Sequence, residues 1–297
     1  MSNIDRQSSL EGVALPRLEH QPFEIRALKS LLLTILTWLF AILASIPLFS
    51  VIYMLLVEGG SRLDLEALTA LPPAGFEMGG GFGNAIVGTL IMVGLATSIS
   101  VPVGILAAIY LAILGPDSKL ATISRFLAKV LTGFPSILAG VFAYATVVLV
   151  MGTYSAWAGG IALSVLMLPT VALTAEEAMK QVPQRMKDAA YGMGCTRSQV
   201  IWKVVLPTGL PGILTGVMLA IAGAAGESAP LLFTALFSNY YLSELAEPTA
   251  SLSILIYNFS GMPFENQIEL AWAASLVLVL IVLVFNILAR LIPQPKV

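Results

Sequence analysis

Charge is what this sequence has least of. Only 11% of its 297 residues are Asp, Glu, Lys or Arg, against 58% that are hydrophobic; a soluble globular chain carries about 25% charged residues. That deficit excludes an ordinary soluble domain and puts the chain in the membrane class before any motif is read. Cysteine occurs once, as Cys195, which excludes an internal disulfide. Histidine also occurs once, as His20 in a polar N-terminal stretch, so a metal centre built on imidazoles is not expected. The formal net charge is −2, with no basic excess to draw nucleic acid. No G-x-x-x-x-G-K-[ST] phosphate loop is present, and the chain has no visible means of hydrolysing ATP.

What the sequence does have is long apolar runs. A helix needs about 20 apolar residues to cross the hydrocarbon core of a bilayer. Six runs reach that length, roughly residues 30–57, 84–114, 126–150, 157–175, 207–240 and 268–292. The first begins too far into the chain, and runs too long, for a cleaved signal peptide. With six spans, every one of the 15 basic residues except Arg62 falls on one side. Arg6, Arg17, Arg26 and Lys29 precede the first span, and Lys119, Arg125 and Lys129 flank the second loop. Lys180, Arg185, Lys187, Arg197 and Lys203 lie in the fourth loop, with Arg290 and Lys296 at the C-terminal end. The positive-inside rule then predicts both termini in the cytoplasm. Arg62 sits among Glu58, Asp64, Glu66 and Glu77 on the external side.

The predicted organisation is an all-α integral membrane protein with six transmembrane helices. A cytoplasmic tail, 1–29, leads into a first span, 30–57, and an external loop, 58–83, rich in Gly and Pro. A five-helix core, 84–292, follows, with a charged cytoplasmic loop at about 176–207 and a short tail, 293–297.

That loop is the most shaped segment of the chain. Pro183 can open a helix, where its missing N–H costs nothing. Met186, Ala189, Ala190 and Met193 follow at i, i+3, i+4 and i+7 and share one face, small in the middle and soft at its ends. Lys187, Asp188 and Tyr191 line the opposite face. Gly194 is placed to stop the helix in a left-handed conformation. Thr196 and Gln199 read as a capping box opening a second helix, which Leu206-Pro207 is expected to end before the fifth span. An ordinary helix-turn-helix between two spans would carry the same signals.

The spacing Asp188-Ala189-Ala190, Gly194, Val204, Leu206-Pro207 resembles the EAA loop of ABC-importer permeases, with Asp for the usual Glu and Val for the usual Ile. A narrower resemblance covers roughly residues 80–292. Gly83-Asn84-Ala85-Ile86-Val87-Gly88-Thr89-Leu90, Gly133-Phe134-Pro135-Ser136-Ile137 and Gly226-Glu227-Ser228-Ala229-Pro230-Leu231-Leu232 look like the A-type permease subunit of the bacterial phosphate importer. The resemblance implies a type I (MetI-like) ABC-importer permease architecture in the bacterial cytoplasmic (inner) membrane. It implies a second, related permease, a pair of cytoplasmic ATPases and an external phosphate-binding protein as partners, beside the lipid bilayer. It implies no cofactor in this chain, ATP and Mg being bound by the partner ATPase. The loop helix, through Met186, Asp188, Ala189, Ala190, Met193, Gly194, Leu206 and Pro207, would dock on that ATPase.

Glu227 is the only charged residue between Lys203 and Glu244. A lone carboxylate facing hydrocarbon costs several kcal/mol, so Glu227 is expected to face protein or water. Gly212, Gly216, Ala220 and Gly223 lead up to it at steps of three or four, a stripe suited to close helix packing. Two roles are open: shaping or gating an anion path together with Ser228, or holding a basic side chain of a neighbouring subunit. The segment is too long for one straight span and is expected to break near Pro211 or Pro230. Pro135-Ser136 can present helix N–H groups to an anion or mark a simple proline kink. Three rivals stand beside phosphate import: a permease of the same superfamily for another oxyanion, a self-sufficient channel or secondary transporter, and a non-transporting scaffold. A secondary transporter usually spreads coupling residues over several spans, and this chain has one deep carboxylate.

Overall fold

The computed structural model describes residues 25–291, and among them every regular element is a helix. The expected tails, with Arg6, Arg17, His20 and Lys296, lie largely or wholly outside the described residues. The chain divides into two units, up to Tyr53 and from Met54 onward.

The first unit holds α1 (Ile25–Met54) up to Tyr53. Its apolar side chains, Leu31, Leu32, Leu33, Ile35, Trp38 and Leu39 among them, are exposed on every side of the helix. Such a surface suits lipid and not water. The hydroxyls of Thr34, Thr37 and Ser45 each donate to the carbonyl four residues back at 2.8 Å, so none is left unsatisfied in an apolar medium.

The second unit opens with a π turn, Leu55–Gly59, and a short helix α2 (Leu65–Thr69), whose N-cap Asp64 accepts from the Ala67 N–H. Helix α3 (Gly83–Ile109) runs into a second π turn, Tyr110–Leu114. Helix α4 (Lys119–Thr132) follows, capped by Ser118. Helix α5 (Ser136–Ala143) continues through a π turn, Tyr144–Val148, into α6 (Leu149–Met151). Helix α7 (Ala156–Lys180) leads to α8 (Gln184–Gly192). Helices α9 (Arg197–Val200) and α10 (Leu206–Gly226) are joined by the π turn Ile201–Val205 into one continuous helix of 30 residues. Then come α11 (Ala229–Leu232), α12 (Leu252–Ser260) and α13 (Glu265–Leu291).

Helix α7 lies at the centre. Leu163, Met167, Val171, Ala175 and Met179 are buried along it, against α3 on one side and α10 on another. The small-residue stripe explains how α10 comes so close. A Cβ on Gly212 would stand 2.8 Å from that of Ala178, and one on Gly216 would overlap Thr174. A second buried cluster, with Phe82, Leu252, Leu255, Leu270 and Ala274, ties α12 and α13 to α2 and the start of α3.

Two expectations need correction and a third is narrowed. The run 126–150 is not one straight helix: α4 and the helix from Ser136 to Met151 meet at a bend of 105°. Phe134 precedes a proline and is pushed away from helical angles, while Pro135 has no N–H to continue the ladder. Helix α4 is amphipathic, with Leu120, Ile123, Phe126 and Leu127 exposed beside Lys119 and Lys129, a composition suited to a membrane surface. Next, Leu206-Pro207 does not end the second loop helix, which passes straight into α10. The π turn just before Pro207 alters the hydrogen-bond pattern where the proline has no N–H to give. Of the two breaks expected in the run 207–240, the one near Pro230 is found: the helix passes through Pro211 unbroken and stops at Gly226, with Glu227 extended at φ −75° and ψ 122°. Pro230 has no N–H to offer the Gly226 carbonyl, so the helix cannot propagate. Glu227 therefore caps the end of a spanning helix and does not lie inside one.

Candidate functional site

The loop from α8 to α9 folds on its own local signals. Gly194 has φ +82°, with open space where a Cβ would be, so backbone conformation is what requires glycine there. The capping box is complete: the Thr196 hydroxyl accepts from the Gln199 N–H, and the Gln199 side chain accepts from the Thr196 N–H at 2.8 Å.

The expected small-residue face is split. Ala190 is only 2% exposed and joins the buried cluster with Val182, Val200 and Val205. Met186 is half-buried on the same side. Ala189 and Met193 point outward, Met193 being 79% exposed. Asp188 is also outward, accepting from Gln184 Nε2 at 2.9 Å. The outward surface is thus Arg185, Asp188, Ala189, Gly192 and Met193, again at steps of three and four. Periodicity identified a stripe, but the buried valines of neighbouring segments decide which way the helix is rotated. Gly194 is exposed at the end of this surface, and Leu206 and Pro207 are half-buried in the continuous helix.

Three charged residues behind the loop form a network that periodicity did not reveal. Glu176, 3% exposed, accepts from Arg125 Nε at 2.7 Å and pairs with Lys180 Nζ at 2.6 Å. Arg125 also donates to the carbonyls of Pro116 at 2.8 Å and Leu111 at 2.6 Å. Arg197, from the start of α9, donates to the carbonyl of Leu114 at 2.9 Å and to that of Ile113. The π turn at the end of α3 leaves the carbonyls of Leu111, Ile113 and Leu114 without helical donors, and the guanidinium groups of Arg125 from α4 and Arg197 from α9 supply them. The available signal was the Glu176–Lys180 spacing of i, i+4 at the end of an apolar span.

At the far end of α10 the stripe opens. Nothing lies within 4 Å of a Cβ built on Gly223, and a pocket of about 360 Å³ begins there. Its walls are the end of α4 with Thr132, the start of α5 with Ser136, α7 with Met167 and Thr170, and Gly223 and Glu227 from α10. The structure thus brings Ser136 and Glu227 together across 91 positions of sequence. Pro135 and Ser228, their chain neighbours, do not line it. Helix α5 starts at Ser136, so the first N–H groups of that helix lie at the rim. Among the described residues no side chain pairs with the Glu227 carboxylate; its backbone carbonyl accepts from Ser253 Oγ at 2.9 Å.

Comparison with known proteins gives this geometry a context. Residues 100–295 match the family model described as binding-protein-dependent transport system inner membrane component. The phosphate transport system permease protein PstA of Yersinia pestis is 40% identical over 267 residues, 90% of either chain. The protein of the same name from Haemophilus influenzae is 41% identical over 83% of this chain and 87% of its own. A probable phosphate transport system permease protein PstA of Methanocaldococcus jannaschii is 39% identical over 87% of this chain and 92% of its own. Among solved structures, a bacterial alginate ABC transporter, in complex with an alginate pentasaccharide-bound periplasmic protein, aligns with a TM-score of 0.62. It is 16% identical and is covered over 91% of this chain and 96% of its own. The inward-facing MetNI methionine ABC transporter aligns at 0.54, with 20% identity over 71% of this chain and 91% of its own. At those identities the two structures speak to the fold, which is the MetI-type permease fold.

Proposed function

The chain belongs to the binding-protein-dependent transport system inner membrane components, and from that membership we propose that it is the permease subunit of an ATP-driven phosphate importer. One observation carries the substrate: identity near 40% with phosphate permeases, along nine-tenths of the chain. The protein is multi-pass and membrane-embedded. It works with the other components of an ABC transporter. In this reading those are a second, related permease, a pair of cytoplasmic ATPases that bind ATP and Mg, and an external phosphate-binding protein. The chain itself hydrolyses nothing and carries no cofactor. Both termini face the cytoplasm of a bacterial inner membrane, a placement supported by the gathering of Arg125, Lys180 and Arg197 at the α8 end.

The surface of Arg185, Asp188, Ala189, Gly192 and Met193 docks on the ATPase, with Ala189 permitting close approach and Met193 adapting to the partner's shape. Thrust on it reaches the pocket through the continuous helix, which is about 45 Å long at 1.5 Å per residue over its 30 residues. In the pocket the hydroxyls of Ser136 and Thr170 and the opening N–H groups of α5 are donors suited to phosphate oxygens. Glu227 marks the gate.

Labelled phosphate uptake in cells stripped of their other phosphate importers tests the assignment. Uptake is expected to appear only when this chain is expressed with its partner subunits, and another oxyanion crossing in place of phosphate would overturn it. A cysteine placed at Ser198 is expected to be labelled from inside only; labelling from outside would reverse the orientation and remove the ATPase contact.

A further inference from the structure

The two arginines that serve the end of α3 are held in unlike ways. Arg125 is fastened: its guanidinium joins α4 to a buried Glu176 and to two carbonyls, and Lys180 completes the charge. Arg197 is exposed, and among the described residues its only partners are the carbonyls of Ile113 and Leu114. The Arg197 contact also joins two segments that no other side-chain hydrogen bond among the described residues connects, the loop that carries the outward surface of α8 and the end of the second spanning helix.

We propose that Arg197 is a coupling latch, a positioning residue whose guanidinium makes the end of α3 move with the α8–α9 loop. The inference rests on the docking role given to that loop above. Thrust on α8 already has one route into the membrane, the helix from Arg197 to Gly226. Arg197 sits at the first residue of that helix and grips α3 at the same point, so one displacement is shared between two spanning helices. Both pack against α7, which lines the pocket through Met167 and Thr170. Without the latch, α10 moves alone and the pocket walls fall out of step. One terminal nitrogen of the guanidinium, Nη2, reaches both carbonyls from a planar, always charged group; a lysine ammonium is a flexible point donor.

The test uses the assembled transporter in proteoliposomes, with inorganic phosphate as substrate. Arg197→Met is expected to assemble, to hydrolyse ATP within about twofold of the wild type, and to lose about tenfold or more of its uptake per ATP, the scale of a lost charge-assisted hydrogen bond. Arg197→Lys is expected to fall between the two, and gives the same ratio should Arg197→Met fail to assemble. An unchanged ratio of uptake to hydrolysis in either assembled variant would overturn the latch. So would loss of uptake that merely follows loss of assembled complex. A second readout needs no phosphate. Spin labels at Asp117→Cys and Ser198→Cys, both exposed positions, in a Cys195→Ser chain, report the distance between the α3 end and the loop. That distance is expected to hold through the nucleotide cycle with Arg197 present and to change with Arg197→Met; equal behaviour in both refutes the latch. A wild-type complex that imports no phosphate would refute the substrate assignment instead, and the distance measurement would still judge the latch.

Discussion

The helix that runs from Arg197 to Gly226 ends in two unlike places. Its first turn is gripped from several sides: a complete capping box, two carbonyls under Arg197, and Ala190 of the preceding helix buried against Val200 and Val205. Its last turn is open. Gly223 has free space beside it, Glu227 caps the helix in an extended conformation, and no side chain among the described residues pairs with the carboxylate. Between them the stripe at Gly212 and Gly216 presses the helix onto α7. A rod held firmly at one end and bordered by space at the other transmits displacement towards the space. The contrast says where substitutions should cost stability and where they should cost transport alone.

The largest effect is expected behind the gripped end. Glu176→Leu leaves Arg125 and Lys180 without their shared carboxylate, in a setting where Glu176 is 3% exposed. Parting a buried pair costs about 3–5 kcal/mol, so the subunit is expected to disappear from membranes by immunoblot. Glu176→Gln keeps an acceptor for Arg125 and should be partly recovered. A normal level of Glu176→Leu would mean that this end is not anchored as the geometry states.

A smaller effect, and a sharper comparison, comes from the two alanines of α8. Ala190→Trp forces a large ring into a packed site and is expected to cost about 1–3 kcal/mol or more, seen as a lower subunit level. Ala189→Trp faces outward and is expected to leave that level alone while reducing the ATPase recovered with the complex. If the two exchange phenotypes, the rotation of α8 is wrong; if Ala189→Trp recovers the ATPase normally and supports full uptake, the outward face does not dock.

The open end should be the most forgiving of folding and the most sensitive in transport. Glu227→Leu is expected to accumulate normally and to lose about tenfold of phosphate uptake, because the polar group it presents to the pocket is gone. Glu227→Gln keeps volume, donors and an acceptor, and is expected to stay within about threefold of the wild type. Wild-type uptake by Glu227→Leu at equal subunit level would make Glu227 a packing residue. Failure of both variants, with reduced complex stability, would instead point to a basic side chain of a neighbouring subunit held by the carboxylate.

Much of the gripped end was legible in the linear chain because its signals are local. Gly194 and the Thr196–Gln199 box depend on neighbours a few residues away, and local rules read them correctly. The rotation of α8 was not legible. Met186, Ala189, Ala190 and Met193 form a sound stripe, yet which part of it is buried depends on Val182 and Val200, outside that helix. Prolines misled in one direction, towards breaks that do not occur. Pro135 and Pro230 border breaks, while Pro207 and Pro211 lie inside a continuous helix. The residue type states that an N–H is missing; a π turn or a packed neighbour decides whether the helix survives the loss.

By itself the sequence determined that this is a membrane protein with about six apolar crossings, a shaped loop on its basic side and one isolated carboxylate. Those follow from composition, run length and charge sign, which need no knowledge of contacts. Only the tertiary structure decided that Glu227 shares a pocket with Ser136, that Ala190 faces inward, and that Arg125 and Arg197 serve the same turn at the end of α3. Each of these joins side chains and carbonyls brought together from distant parts of the chain. Such pairings are set by how helices pack on α7, and the order of residues along one helix does not contain them.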